Sequence, residues 1–312
     1  MSSSVFVLGA TGTQGGSVAR HLRKANIPVH ALVREPSSAK AKALEGLGVT
    51  VFPGSWDDPT ALKAALKDSK AAFLNFMPCF TDPRQELRDA QTVLAAAKDS
   101  GVKHIVYSGS FGVEVGLSIA SDMNPNGLAP QTYKTKMEIQ NTVMSVEFAT
   151  FTILRPSLFM SNFFGSASVW YGNLTKTGVF ETALRKGVTI PYVDPDDIGA
   201  FGAAALTDPN KFAGQKVDVH TEMLTPEDSI SMLAEVKGKK LGVRFMSDKE
   251  VGDMSKVNIF TQAQITMRGL AGLASMDTVT RWGVPVGSFR KFLEREKAAL
   301  DETYAEIPDT AQ

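Results

Sequence analysis

The chain has 312 residues, enough for two average domains or one large domain with a dependent lobe. It is 43% hydrophobic and 21% charged, so a large buried core is expected. Its 33 Lys+Arg cancel 33 Asp+Glu, split 15 against 13 up to residue 150 and 18 against 20 beyond, which argues against general nucleic-acid binding and leaves a regulatory protein partner open.

A single cysteine, Cys79, can make neither an internal disulfide nor a thiolate cluster, and His21, His30, His104 and His220 are scattered without ligand spacing. No metal is expected. Only four apolar residues run together before Gly9, and no stretch of 18 apolar residues occurs, so neither a signal peptide nor a membrane span is expected. The expected location is the cytoplasm, with the nucleus also open, and the expected state is monomer or homodimer.

Apolar, β-branched runs recur at Val5–Ala10, Val29–Arg34, Val49–Gly54, Ala71–Phe76, His104–Gly109 and Thr150–Arg155. Apolar at successive positions, they suit strands buried on both faces of a parallel sheet. Helices are expected between them. The clearest is Pro83–Ser100, where Leu87, Ala90, Leu94 and Ala97 form one stripe and Gly101 supplies the stop. The predicted fold is a doubly wound α/β sheet over residues 1–156, followed by a smaller C-terminal substrate lobe over 157–312. Some of that lobe, about 190–220, is expected to return to the sheet. Pro226–Val236 reads as a helix, and Phe289, Leu293, Leu300 and Tyr304 mark one closing helix. The aromatic run Phe159, Phe163, Phe164, Trp170 and Tyr171 has no clean period, and we read it as a loop over an apolar pocket.

The first strand runs into Gly9-Ala10-Thr11-Gly12-Thr13-Gln14-Gly15, with a helix from about Gln14 to Lys24. A tight turn needs Gly9, close approach to a pyrophosphate needs Gly12, and helix–sheet packing needs Gly15. The helix start offers free N–H groups to an anion. Strand, glycines, helix and second strand together predict a dinucleotide site. The tip of the second strand chooses between dinucleotides: a carboxylate suits a free ribose 2′-OH, an arginine a 2′-phosphate. Here Arg34 stands 19 residues after Gly15, with Lys40 and Lys42 beyond, and favours NADP. Glu35 as a ribose contact is the alternative.

With these motifs the chain resembles the NmrA-like family of atypical short-chain dehydrogenases/reductases, and in particular its NADPH-sensor branch. The resemblance rests on Gly9–Arg20, Gly54-Ser55-Trp56-Asp57-Asp58, Val106-Tyr107-Ser108-Gly109, Lys136, the stretch Arg155–Phe163 and Pro195-Asp196-Asp197-Ile198-Gly199. It implies that Gly9, Thr11, Gly12, Thr13, Gln14 and Gly15 cradle the pyrophosphate and that Arg34 takes the 2′-phosphate. It further places Asp57 near adenine, and Asn75, Phe76 and Met77 along the ribose–nicotinamide path. Lys136 would hold the nicotinamide ribose, with Phe159 and Asn162 at the substrate mouth.

Reducing a carbonyl by hydride transfer also needs a proton donor. Classical members of the superfamily place a Tyr four residues before the Lys. Thr132 stands there in this chain, and Tyr133 stands three before Lys136, on the same helix face. The candidate catalytic residues are thus Lys136, Tyr133 and Ser108, with Ser110 a second hydroxyl at the end of the fifth strand. Ser108 stands where a Gly-x-Ser-x-Gly elbow centred on Ser110 would need glycine, so a hydrolase is not indicated. Asp57-Asp58 and Asp196-Asp197 read as helix-start acids. Two readings follow: an NADPH-dependent reductase of a small apolar or aromatic carbonyl, enone, quinone or imine, or a redox sensor that binds NADP(H) and regulates a partner protein.

Overall fold

The computed structural model describes residues 4–79 and 81–307. Strands β1 (Ser4–Val7), β2 (Val29–Val33), β3 (Thr50–Pro53), β4 (Ser69–Asn75), β5 (His104–Ser108) and β6 (Thr150–Pro156) form one sheet with a seventh strand, Gln215–Val219. All pairings are parallel, in the spatial order Gln215–Val219, β6, β5, β4, β1, β2, β3. A parallel neighbour cannot be reached by a hairpin, so the chain crosses over through helices. Between β1 and β6 these are α1 (Thr13–Lys24), α2 (Ala39–Gly46), α3 (Pro59–Leu66), α4 (Gln85–Asp99), α5 (Val113–Met123) and α6 (Leu128–Ser145). The order reverses between β1 and β4, which opens a crevice at the carboxyl ends of these strands.

Both faces of the sheet are covered, which is why its inner strands carry apolar residues at successive positions. Val5 and Val7 pack with α1 and with the later helix Pro195–Thr207, while Phe6 and Leu8 pack with α3, α4 and α6. The predicted stripe on α4 is buried at Leu87, Ala90, Leu94 and Ala97. Asp58 caps α3 by accepting from the Thr60 and Ala61 amides at 2.9 and 3.2 Å.

A third core lies beyond β6. The strands Leu158–Phe159, Ile190–Val193 and Glu222–Leu224 make a small sheet, and Val179–Thr182 pairs with Gly242–Phe245. The aromatic run is not mainly a pocket loop. Phe163 and Tyr171 stack with centroids 3.8 Å apart inside this core, whereas Trp170 lines a cavity beside it and Phe159 and Phe164 line hollows at its edge. The segments Met160–Phe163 and Gly165–Tyr171 are 3₁₀ turns, with about three residues per turn, so neither a 3.6 nor a 2 period shows in the sequence. The single closing helix is instead two, Phe289–Arg295 and Lys297–Thr303, broken at Glu296.

The helix Pro195–Thr207 joins these parts. Gly199 lies so close to α1 that a Cβ there would stand 2.1 Å from Ser17 Oγ, and one at Gly202 would stand 2.8 Å from Val18. At the same crossing Ser17 donates to Asp196 at 3.0 Å and His21 lies 3.2 Å from its other oxygen; these bonds hold the Asp196 carboxyl well below the usual range. Asp194 caps the helix at the Asp196 amide and receives both arms of Arg295 from the closing segment at 2.8 and 2.9 Å. Asp197 is buried and accepts from Thr221 and the Gly287 amide; burial lifts its carboxyl to about 6. Of the paired acids, then, Asp58 is a cap, whereas Asp196 and Asp197 tie separate segments together.

Among the described residues no helix is long and apolar enough to cross a membrane. Two predictions arise from the packing. Gly199→Ala forces α1 and its partner helix apart and should cost about 1–3 kcal/mol, the usual range for overpacking; an unchanged melting temperature would show that the crossing has slack. His220 is fully buried, has no hydrogen-bond partner for either ring nitrogen among the described residues and meets Phe111 edge-on. Burial lowers its pKa to about 4. Because the unfolded imidazole binds a proton near 6.5, stability is complete above that pH and is lost as pH falls from about 6.5 towards 4, by about 3 kcal/mol at the limit. Melting of wild type and His220→Leu from pH 7.5 to 5 should show a shallower acid decline in the variant, and parallel declines would refute the assignment.

Candidate functional site

The turn after β1 is built for close approach. Gly9 has φ +67, and a Cβ on it would lie 2.9 Å from Asn75 Oδ1; a Cβ on Gly15 would lie 2.5 Å from the Gly9 carbonyl oxygen. The Gly12 amide closes the turn on the Gly9 carbonyl at 2.8 Å. Helix α1 then begins with no side-chain cap and no acidic residue in its first turn, so its first N–H groups and the positive end of its dipole face the crevice. Ser108, buried at the end of β5, donates to Gln14 Oε1 at 2.6 Å and braces the loop from behind.

A groove of about 460 Å³ runs along this turn. Gly9, Thr11, Gly12, Thr13 and Gln14 form its floor. Arg34 closes one end beside Leu32 and Val33, while Asn75 and Met77 lie at the end of β4. Phe159, Ser161 and Asn162 supply the facing wall. Arg34 is exposed and, among the described residues, has no ion-pair or hydrogen-bond partner; Glu35 does not line the groove.

The other expected contacts lie elsewhere. Gly15 sits under the turn, Lys40 is exposed on the first turn of α2, and Phe76 is buried in the sheet core. Asp57 is exposed outside the groove, and its neighbours Ser55 and Trp56 line the wall instead. The Gly54–Asp58 motif marked this segment, but an apolar ring gave no polar signal to single it out.

A second cavity, about 180 Å³, lies between the sheet and the third core. Its walls are mostly apolar, from Phe111, Leu158, Trp170, Ile190, Met267 and Leu270, and its hydroxyls are Tyr133, Ser110 and Ser157. The pair sharing this cavity is thus Tyr133 with Ser110; Ser108 is engaged with Gln14. Tyr133 packs against Gly116, where a Cβ would come within 2.7 Å of the ring, and burial pushes its phenol up to about 12. Lys136, one turn on, points to the end of β4: its ammonium donates to the Phe76 carbonyl at 3.0 Å and pairs with buried Glu86. No hydrogen bond joins it to Tyr133. The two spaces share a partition, since Leu158 lines the cavity and Phe159, its neighbour on the strand, lines the groove.

Comparison with known proteins agrees with this architecture. The NADPH-dependent quinone oxidoreductase of Escherichia coli, complexed with NADPH, superposes with a TM-score of 0.72 over 93% of this chain and 99% of its own, at 21% identity. NmrA, a negative transcriptional regulator in complex with NADP, superposes with a TM-score of 0.66 over 99% and 93%, at 17% identity. At such identities both likenesses speak for the fold alone. In sequence, a (4-alkanoyl-5-oxo-2,5-dihydrofuran-3-yl)methyl phosphate reductase of Streptomyces griseus is 30% identical over 238 residues, 76% of this chain and 75% of that protein. The model of the NmrA-like family matches residues 1–272, and the chain belongs to that family.

Proposed function

We propose that the protein is an NADPH-dependent oxidoreductase that reduces a small apolar or aromatic carbonyl, enone, quinone or imine. The observation that carries this reading is the cavity with apolar walls and the hydroxyls of Tyr133, Ser110 and Ser157, which lies beside the glycine-loop groove, the Leu158–Phe159 strand lining both. The reductase of Streptomyces griseus supports it from outside.

The groove residues fit the cofactor. A side chain at Gly9 would run into Asn75, the α1 amides are uncapped, and Asn75 Oδ1 is buried with no hydrogen-bond partner among the described residues. Gly9, Thr11, Gly12, Thr13 and Gln14 would hold the pyrophosphate, Arg34 the 2′-phosphate, and Asn75, Met77, Phe159 and Asn162 the nicotinamide half. Bound NADPH supplies the hydride. The chain's own part is to bind the acceptor in this cavity and to give its oxygen or nitrogen a proton. Tyr133 enters as the proton source by its place in the cavity, although burial raises its phenol to about 12 and makes it a weaker acid than a free tyrosine, and Ser110 orients the accepting atom. The paired ammonium of Lys136 places a fixed positive charge at the end of β4.

A sensor reading has one observation in its favour: Lys136 is bonded to Glu86 and Phe76 and not to Tyr133, unlike a coupled acid pair. The deciding experiment follows NADPH absorbance over a panel of quinones, enones, aldehydes, ketones and cyclic imines. Compound-dependent oxidation is expected; tight NADPH binding without oxidation of any member would favour the sensor.

Two variants test the residues. Arg34→Ala should weaken NADPH about 10- to 100-fold and leave NADH nearly unchanged, because a hydrogen bond to a charged group contributes about 1.5–3 kcal/mol. Equal losses for both nucleotides would remove Arg34 from the 2′-phosphate. Tyr133→Phe should lower turnover by about 10²–10⁴ at unaltered NADPH affinity, the span usual for general acid catalysis, and wild-type turnover in that variant would exclude it as the donor.

A further inference from the structure

Lys136 does not stand alone, and its partner has been given no role so far. Glu86 lies on the first turn of α4 with 2% of its surface exposed, and its carboxylate pairs with the Lys136 ammonium, itself only 11% exposed. A carboxylate buried this far is costly unless held by a charge, and here desolvation raises its pKa while Lys136 acts to lower it. The same ammonium donates to the Phe76 carbonyl at 3.0 Å, and the residues on either side of Phe76, Asn75 and Met77, line the groove.

We propose that Glu86 is a positioning residue for the nicotinamide end of the groove, acting through Lys136. An ammonium has three protons. Glu86 and the Phe76 carbonyl take two of them, which fixes the direction of the third and pins the backbone turn between Asn75 and Met77. Without Glu86 the lysine stem regains its rotamers, and the carbonyl loses a charged donor. Both effects act on bound cofactor with no contact between Glu86 and the cofactor. The inference rests on the NADPH reading above, and extends it to a residue that lies outside the groove.

The test is a double-mutant cycle on NADPH affinity, read by nucleotide fluorescence in the absence of any acceptor, with melting curves recorded for each protein. Glu86→Gln keeps the shape and removes the charge; Glu86→Asp keeps the charge and withdraws it by one methylene; each is made alone and with Lys136→Met. Glu86→Gln is expected to weaken NADPH about tenfold and Glu86→Asp several-fold, and neither should change affinity by more than about twofold once Lys136 is methionine. Should Glu86→Gln fail to fold because it strands a buried ammonium, Glu86→Asp carries the same comparison, and the doubly neutral variant restores a foldable core. Wild-type affinity in both single variants, or losses that persist unchanged beside Lys136→Met, would overturn the proposal. Because no turnover is measured, absence of a substrate does not affect the result. Wild-type protein that bound no NADPH would instead overturn the cofactor reading and this inference with it.

Discussion

The crossing of α1 with the helix Pro195–Thr207 is the constraint on which the rest depends. One helix starts at the glycine turn, and the other starts where the third core begins to return to the sheet. Glycine at 199 lets the two backbones approach until Ser17 fills the space a methyl group would take. The four residues from Asp194 to Asp197 then hold three segments at once: Asp196 grips α1, Asp194 grips the closing helix through Arg295, and Asp197 grips the loop before it. Close packing makes such a joint stiff, so the walls of the groove and cavity keep a fixed relation to each other.

The parallel sheet was legible because burial on both faces leaves runs apolar at successive positions, as at Val5–Leu8 and Ala71–Leu74. The glycine turn was legible because its backbone geometry tolerates few side chains. Less could be read where local pattern does not set position. The 3₁₀ turns around Phe163 hide their period, and the break at Glu296 carries neither glycine nor proline. Trp56 and Asp57 differ by one place, and only the path of the chain after β3 decides which of them faces the groove.

The candidate chemical groups illustrate the same limit. Spacing put Tyr133 and Lys136 on one helix face and both serines at one strand end. It could not say that Lys136 would be drawn to Glu86, fifty positions earlier, or that Ser108 would be turned towards Gln14. Long-range polar pairing is decided by which helices flank the same strands, here α4 and α6 against β4 and β5. A buried carboxylate had no marker in the sequence of α4, where Glu86 looks like an ordinary first-turn acid favourable to the helix dipole.

The two-residue strand Leu158–Phe159 has a consequence for how such a protein can diversify. Adjacent residues on a strand point to opposite sides, so one position belongs to the cavity and the next to the groove. A change of size or polarity at Leu158 reshapes the apolar cavity and leaves the wall of the groove its phenyl ring. The chain therefore shapes two adjoining spaces at single-residue resolution, each by its own position on the strand. An insertion of one residue before this strand would exchange the two sides together, and the same partition that permits substitution makes that length intolerant of change.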